Sequence, residues 1–291
     1  MLRDIVDVLA DPVDGTPLHG ADDFARLVSE SGHSYDVARQ GYVTLASGAG
    51  IAHEGDSPAM VASREAFLSR GHFAPFVETV TERVLDALAL IDDSSAASAP
   101  TILEVGAGTG YYLAHTLDAV DGARGVGVDI SVPAAKHLAK SHPRVGAIVA
   151  DVWQGLPVRD QSIDVITVIF APRNPAEFAR ALGSGGEAII LTPQSGHLDE
   201  LRVPLGILGV EEGKVERMLE QAAGYLEPVG DDPHELVEFP MKLDRESIAA
   251  QVGMSPSARH LAPEVLAERV AALPETMTVT ARAQLTRLRK V

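Results

Sequence analysis

From Thr101 onward the chain alternates short apolar runs with helical stretches, a pattern that few folds can satisfy. The apolar runs fall at 102–105, 125–130, 146–150, 163–170 and 187–192, with helical periodicity between them at about 110–118, 132–141 and 175–182. Short strands joined by crossover helices pair in parallel and must be covered on both faces. Residues 199–230 break the alternation with a mostly helical insertion, and 236–242 and 275–289 are expected to close the sheet with antiparallel edge strands. The predicted fold is α/β and Rossmann-like over residues 100–291.

Two regions precede this domain. Residues 1–50 are short segments broken by Asp-Pro, Gly-Thr-Pro and Gly-Ala-Gly, which mark turns and a small module. Residues 51–99 form a helical segment and linker. Ser57-Pro58 opens a helix as a cap with proline in the first turn, and Gly71 interrupts it. A second helix is predicted from Pro75 to Ile91, with Phe76, Val80, Val84, Leu88 and Ile91 at helical spacing. The stretch 92–100, rich in Asp, Ser and Ala, reads as a flexible linker.

The chemistry concentrates in Ile102-Leu103-Glu104-Val105-Gly106-Ala107-Gly108-Thr109-Gly110. A strand runs into three glycines at alternate positions, so that the backbone can bend and approach a ligand without a Cβ in the way. A dinucleotide site would space its glycines to seat a pyrophosphate on the helix N-terminus. Here the spacing is Gly-x-Gly-x-Gly and Glu104 stands two residues before it, a placement that suits a ligand carrying ammonium and sulfonium groups. The second strand ends in Asp129-Ile130, where a carboxylate can accept from ribose hydroxyls. The third ends in Asp151-Val152, where one can meet an adenine amino group. S-Adenosyl-L-methionine is the expected cofactor, bound by Glu104, Gly106, Gly108, Gly110, Tyr111, Asp129, Ile130, Asp151 and Val152. Trp153, the single tryptophan, is open to two roles, a wall of the adenine pocket or core packing.

Composition excludes several classes. No apolar run reaches the ~18 residues that cross a bilayer, and Met1-Leu2-Arg3-Asp4 does not open a signal peptide, so a cytoplasmic location and no membrane partner are expected. With no cysteine there are no disulfides and no thiolate metal sites. The 24 basic residues face 41 acidic ones, a net charge of −17, so a nucleic-acid partner would have to be met by a local patch. The densest basic run is Arg282, Arg287, Arg289 and Lys290, which a solvated strand end explains equally well.

Further segments are distinctive. Gly55-Asp56-Ser57-Pro58-Ala59-Met60, Arg64-Glu65-Ala66-Phe67-Leu68 and Gly71-His72-Phe73, with Phe170-Ala171-Pro172 after the fourth strand, resemble the bacterial 23S rRNA (guanine-N1)-methyltransferases over nearly the whole chain. Gly110-Tyr111-Tyr112, Thr192-Pro193, His197-Leu198 and Met254-Ser255-Pro256 match further positions. The resemblance implies a class I S-adenosylmethionine-dependent methyltransferase fold, 23S rRNA as partner, and methyl transfer to guanine N1 in a hairpin loop. The alternative is a small-molecule methyltransferase that has lost RNA recognition, and a homodimer is left open.

The family's N-terminal module binds zinc through three cysteines and a histidine. Here those positions read Asp11, Asp14, Ser29 and His33. One imidazole and two carboxylates make a poor structural zinc site, so no metal is expected and the module is read as a degenerate recognition element. Residues 1–75 carry 5 basic and 11 acidic side chains, which weakens the case for RNA there. For the reaction, Asp56, Phe170, Pro172 and Arg173 are the expected catalytic residues. Phe170 is a candidate to stack on a base, with core packing as its alternative. Asp56 and Glu177 are both open as the proton acceptor. Asn174, His72 and His197 are lesser candidates for contact with substrate.

Overall fold

A computed structural model describes residues 1–46, 53–91, 99–230 and 233–291. The Gly-Ala-Gly turn at 48–50 and most of the linker expected at 92–100 lie outside the described residues. At the N-terminus, α1 (Leu2–Ile5) precedes a three-stranded antiparallel sheet of β1 (Leu18–Ala21), β2 (Arg26–Ser29) and β3 (Ser34–Asp36). The next strand, β4 (Tyr42–Thr44), leaves that sheet and pairs in parallel with the edge of the main one.

Two helices follow, α2 (Pro58–Leu68) and α3 (Ala74–Ala89). Ser57 caps α2 as expected, its hydroxyl accepting from the Met60 N–H at 3.3 Å. The alternating domain then runs β5 (Thr101–Val105), α4 (Tyr111–Ala119), β6 (Arg124–Asp129), α5 (Val132–Ser141), β7 (Val145–Val149), β8 (Ile163–Ile169), α6 (Pro175–Ala181) and β9 (Leu182–Pro193). The insertion supplies α7 (Asp199–Leu205), α8 (Lys214–Ala222) and β10 (Leu226–Pro228). The closing hairpin, β11 (His234–Asp244) and β12 (Thr276–Lys290), carries α9 (Arg245–Gly253) and α10 (Pro263–Ala271) between its strands. Sequence reasoning placed both strands but no helix between them. Asp244 starts α9 by accepting from the Ser247 N–H at 2.7 Å.

The main sheet has the order β10-β12-β9-β8-β5-β6-β7-β4, with β11 on β12. Strands β4 to β9 pair in parallel, and β12 joins β9 antiparallel. Adjacent residues on one strand feed opposite cores: Ile102, Val165 and Ile189 face the cluster with α3 and α4, while Leu103, Ile166 and Ile190 face the one with α1, α6 and α8. In β6 a Cβ on Gly127 would come within 2.7 Å of Leu138, so glycine there lets α5 lie flat on the sheet. The N-terminal chain is stitched to the same sheet, because Ile5 packs on Gly146 and Arg124 pairs with Asp7 at 2.8 Å.

Candidate active site

The chain winds outward from β5 in both directions, to β6 and β7 on one side and to β8 and β9 on the other. Ligands of open α/β sheets bind where the strand order reverses in this way, beyond the carboxyl ends of the strands. The ends of β8, β5, β6 and β7 there surround a cavity of about 330 Å³. Gly106, Gly108, Asp129, Ile130, Asp151, Val152, Phe170 and Pro172 all line it.

The glycine loop forms the floor. Gly106, Gly108 and Gly110 have φ of +69°, +56° and +84°, which side chains rarely adopt. A Cβ on Gly106 would lie 2.4 Å from that of Ala171, so the loop and the turn after β8 touch. The loop is pinned to β6 by Gly106 and Ala107 N–H groups donating to the Val128 carbonyl.

Three acids end or precede the strands, and each has a different environment. Asp129 accepts from the Gly108 and Ser131 N–H groups, both at 2.7 Å; burial raises its carboxyl and these bonds only partly offset that. For Asp151, burial also pushes upward, but hydrogen bonds from His53 at 3.0 Å, the Trp153 N–H at 3.0 Å and Gln154 outweigh it and hold the carboxyl low. Glu104 is 2% exposed. Burial drives its carboxyl up to about 8, the Leu113 N–H offsets this in part, and Oε2 has no partner among the described residues. Above it the Tyr112 hydroxyl is equally unpartnered. Glu104 itself does not line the cavity, but its unsatisfied carboxyl lies beneath the Cβ-free loop that does, and with Asp129 and Asp151 on the lining it suits a cationic ligand such as S-adenosylmethionine.

The turn after β8 is strained. Phe170 has a φ of +54°, and its ring is held by Phe73, Phe76 and His197 at centroid distances of 5.6 to 6.1 Å. It therefore packs on the core and lines the cavity at once. Pro172 is exposed at the rim. Arg173 turns away, donating to the Thr192 hydroxyl at 2.9 Å, and it does not line the cavity. Asn174 caps α6 and binds the Val152 carbonyl.

Other expected residues are elsewhere. Tyr111, at the start of α4, lines a separate cleft with His115 and Lys140, because the helix turns its side chain outward while Tyr112 points to Glu104. Glu177 is locked between Arg180 at 2.7 Å and the Leu156 N–H at 2.7 Å, which hold it low against burial, and lies outside the cavity. His72 bonds Ser247. His197 is pushed down to about 4 by burial and accepts from the Arg282 N–H, so it is a neutral core residue. Arg282, Arg287 and Arg289 pair with Glu238, Glu187 and Glu227, a set of strand-to-strand bridges.

Four titratable cavity residues had no assigned role in the sequence. Arg64 on α2 and Arg259 both line it, as do His53 and Glu54. Arg64 lay inside a recognisable segment but carried no signal of its own. Asp56 lines the cavity, with Oδ2 2.7 Å from Arg64. Trp153 is 55% exposed at the β7 end of the cavity, which removes core packing as its role.

The zinc-ligand positions converge in the N-terminal module, where Asp11, Asp14 and His33 bring ligand atoms within 4.8 Å of one another. They do not fit the family's zinc. Asp11 is 2% exposed and already saturated: Oδ1 accepts from the Val13 N–H at 2.8 Å and the Tyr35 hydroxyl at 2.7 Å, and Oδ2 from His33 Nδ1 at 2.8 Å. Burial alone would raise its carboxyl, yet these bonds and Ser29 hold it low. Hydrogen bonds already engage both Asp11 oxygens and His33 Nδ1, atoms on which a cation would draw.

Comparison with known proteins bears on the whole chain. A methyltransferase-domain family matches residues 102–186. A Streptomyces fradiae protein named 23S rRNA (guanine(748)-N(1))-methyltransferase is 38% identical over 96% of each chain. A Micromonospora griseorubida protein named "Putative 23S rRNA (guanine-N(1)-)-methyltransferase" is 40% identical over 100% of each. Among the described residues no helix is long and apolar enough to cross a membrane.

Proposed function

The chain belongs to the 23S rRNA (guanine-N1)-methyltransferase family, and from that premise we propose that it transfers a methyl group from S-adenosylmethionine to N1 of a guanine in a 23S rRNA hairpin loop. The observation that carries this is the extent of the likeness. It runs through the first hundred residues, where a shared cofactor domain alone would leave no trace, as well as through residues 102–186.

The cofactor supplies an electrophilic methyl group on a sulfonium. The protein's part is to place and shield it. Asp151 and Trp153, at the end of β7, suit the purine, one by accepting from its amino group and the other by its exposed ring. Asp129, oriented by two backbone N–H groups, suits the ribose hydroxyls. The glycine loop and the strained turn at Phe170 would hold the rest of the cofactor, whose sulfonium supplies the methyl group. That turn is rigid because the half-buried Phe170 ring packs against aromatic neighbours, so Pro172 presents a fixed rim to an incoming base.

The direct test is radiolabelled methyl transfer to 23S rRNA from a strain lacking this gene, followed by nucleoside analysis. Label in 1-methylguanosine is expected. Label in another nucleoside, or no RNA label from protein that binds S-adenosylhomocysteine, would remove this assignment.

A further inference from the structure

The cavity is rich in acids, which suit the sulfonium and ammonium of the cofactor. The cofactor's amino-acid tail also carries a carboxylate, and that group needs a cation. Two guanidinium side chains line the cavity, Arg64 and Arg259. Arg259 donates through NH2 to the carbonyls of Glu54 and Gly55 at 3.2 and 3.0 Å, spanning the chain at the rim. Arg64 lies over the loop itself, its Cδ 3.3 Å from where a Cβ on Gly108 would stand.

Resting on the cofactor assignment above, we propose that Arg64 binds the α-carboxylate of the cofactor's amino-acid tail and that Asp56 is the positioning residue that holds its guanidinium in place. The Arg64 Nε is buried with no hydrogen-bond partner among the described residues, although its NH2 is satisfied by Asp56 at 2.7 Å and the Met254 carbonyl at 3.2 Å. A guanidinium anchored at one nitrogen and unpaired at another is a prepared anion receptor. The anchor is itself fixed, because the Ser131 hydroxyl donates to the Asp56 carbonyl at 2.7 Å. Position agrees with chemistry. With the purine at β7 and the ribose at β6, the tail of a linear adenosyl ligand reaches the β5 loop, where Arg64 sits. Asp56 thereby takes a different role from the proton acceptor that its sequence suggested. Arg64 belongs to α2, outside the matched domain of residues 102–186, so the helical segment would complete the cofactor site.

The test compares two ligands by calorimetry, supported by fluorescence of the single tryptophan in the cavity. S-Adenosylhomocysteine carries the amino-acid tail, and 5′-methylthioadenosine lacks it. Arg64→Gln is expected to weaken S-adenosylhomocysteine about tenfold to a hundredfold, the range for a charged hydrogen bond, and to leave 5′-methylthioadenosine unchanged. Asp56→Asn should produce a smaller loss with the same selectivity. On wild-type protein, decarboxylated S-adenosylmethionine should bind more weakly than the intact cofactor, a result that depends on no variant folding. Equal losses for both ligands, or no loss for either, would overturn the assignment of Arg64. So would a defect confined to RNA binding, which would make Arg64 a phosphate contact. Wild-type protein that binds no adenosyl ligand would sink the cofactor assignment and this inference together.

Discussion

Two carboxyl groups in this protein are equally hidden from solvent and have opposite fates. Asp11, in the N-terminal module, and Glu104, under the glycine loop, are each 2% exposed. Asp11 is surrounded by the Val13 N–H, the Tyr35 hydroxyl and His33, and its carboxyl is held low despite burial. Glu104 has one oxygen without a partner and is driven up to about 8. Low exposure is common to both; Glu104 lies far deeper in the core, and depth together with hydrogen-bond satisfaction separates them. A saturated buried acid holds a fold together, whereas an unsatisfied one marks a place completed by a ligand.

The sharpest way to break the comparison is Asp11→Ala. It strands three donors and should cost about 3 kcal/mol of stability, read as a lower midpoint in urea, while affinity for S-adenosylhomocysteine holds. Loss of that affinity in a protein of unchanged stability would reverse the roles assigned to the two sites. Glu104→Gln should do the opposite, weakening S-adenosylhomocysteine by roughly tenfold or more while raising Tm at pH 8.

The pH dependences should also oppose one another. Between about 4.5 and 8 native Glu104 keeps a proton that the unfolded chain has released, so its contribution to stability falls as pH rises. Asp11 is lowered, so its contribution is present above the ordinary carboxylate range and is lost as pH falls below it. Thermal melts from pH 4 to 8 should show the downward slope in wild type and its loss in Glu104→Gln. An identical slope in both would remove Glu104 as its source. The smallest expected effect is that of a chelator. If hydrogen bonds hold the module, EDTA should leave Tm unchanged and purified protein should carry well under one zinc per chain; a marked drop would restore a metal to Asp11, Asp14 and His33.

Much of the architecture was legible because the features that specify it are local. Strands β5 and β7 are buried throughout, and their runs, apolar but for Thr101 and Glu104, announced a sheet covered on both faces. The helices α9 and α10 were missed: α9 buries one face, but polar Ser247 and Gln251 share it with Ile248 and Val252, so no apolar stripe shows, and α10 buries only Val270. In the site, the glycine loop and the acids at the strand ends could be read from spacing, and all but Gly110, Tyr111 and Glu104 line the cavity where strands β5, β6 and β7 end. Tyr111 and Tyr112 are adjacent and alike in type, so no pattern could say which faces Glu104. The C-terminal arginines looked like a patch until β12 placed their acidic partners opposite them.

By itself the sequence determined the alternating sheet and the bend at Gly106, Gly108 and Gly110, since periodicity and backbone freedom are properties of neighbouring residues. Tertiary structure alone decided which polar groups meet. Arg64 finds the Met254 carbonyl 190 residues away, and Asp11 finds Tyr35 across 24. Whether a buried acid is satisfied or left waiting depends on such distant partners, and chain folding is what brings them within hydrogen-bonding reach.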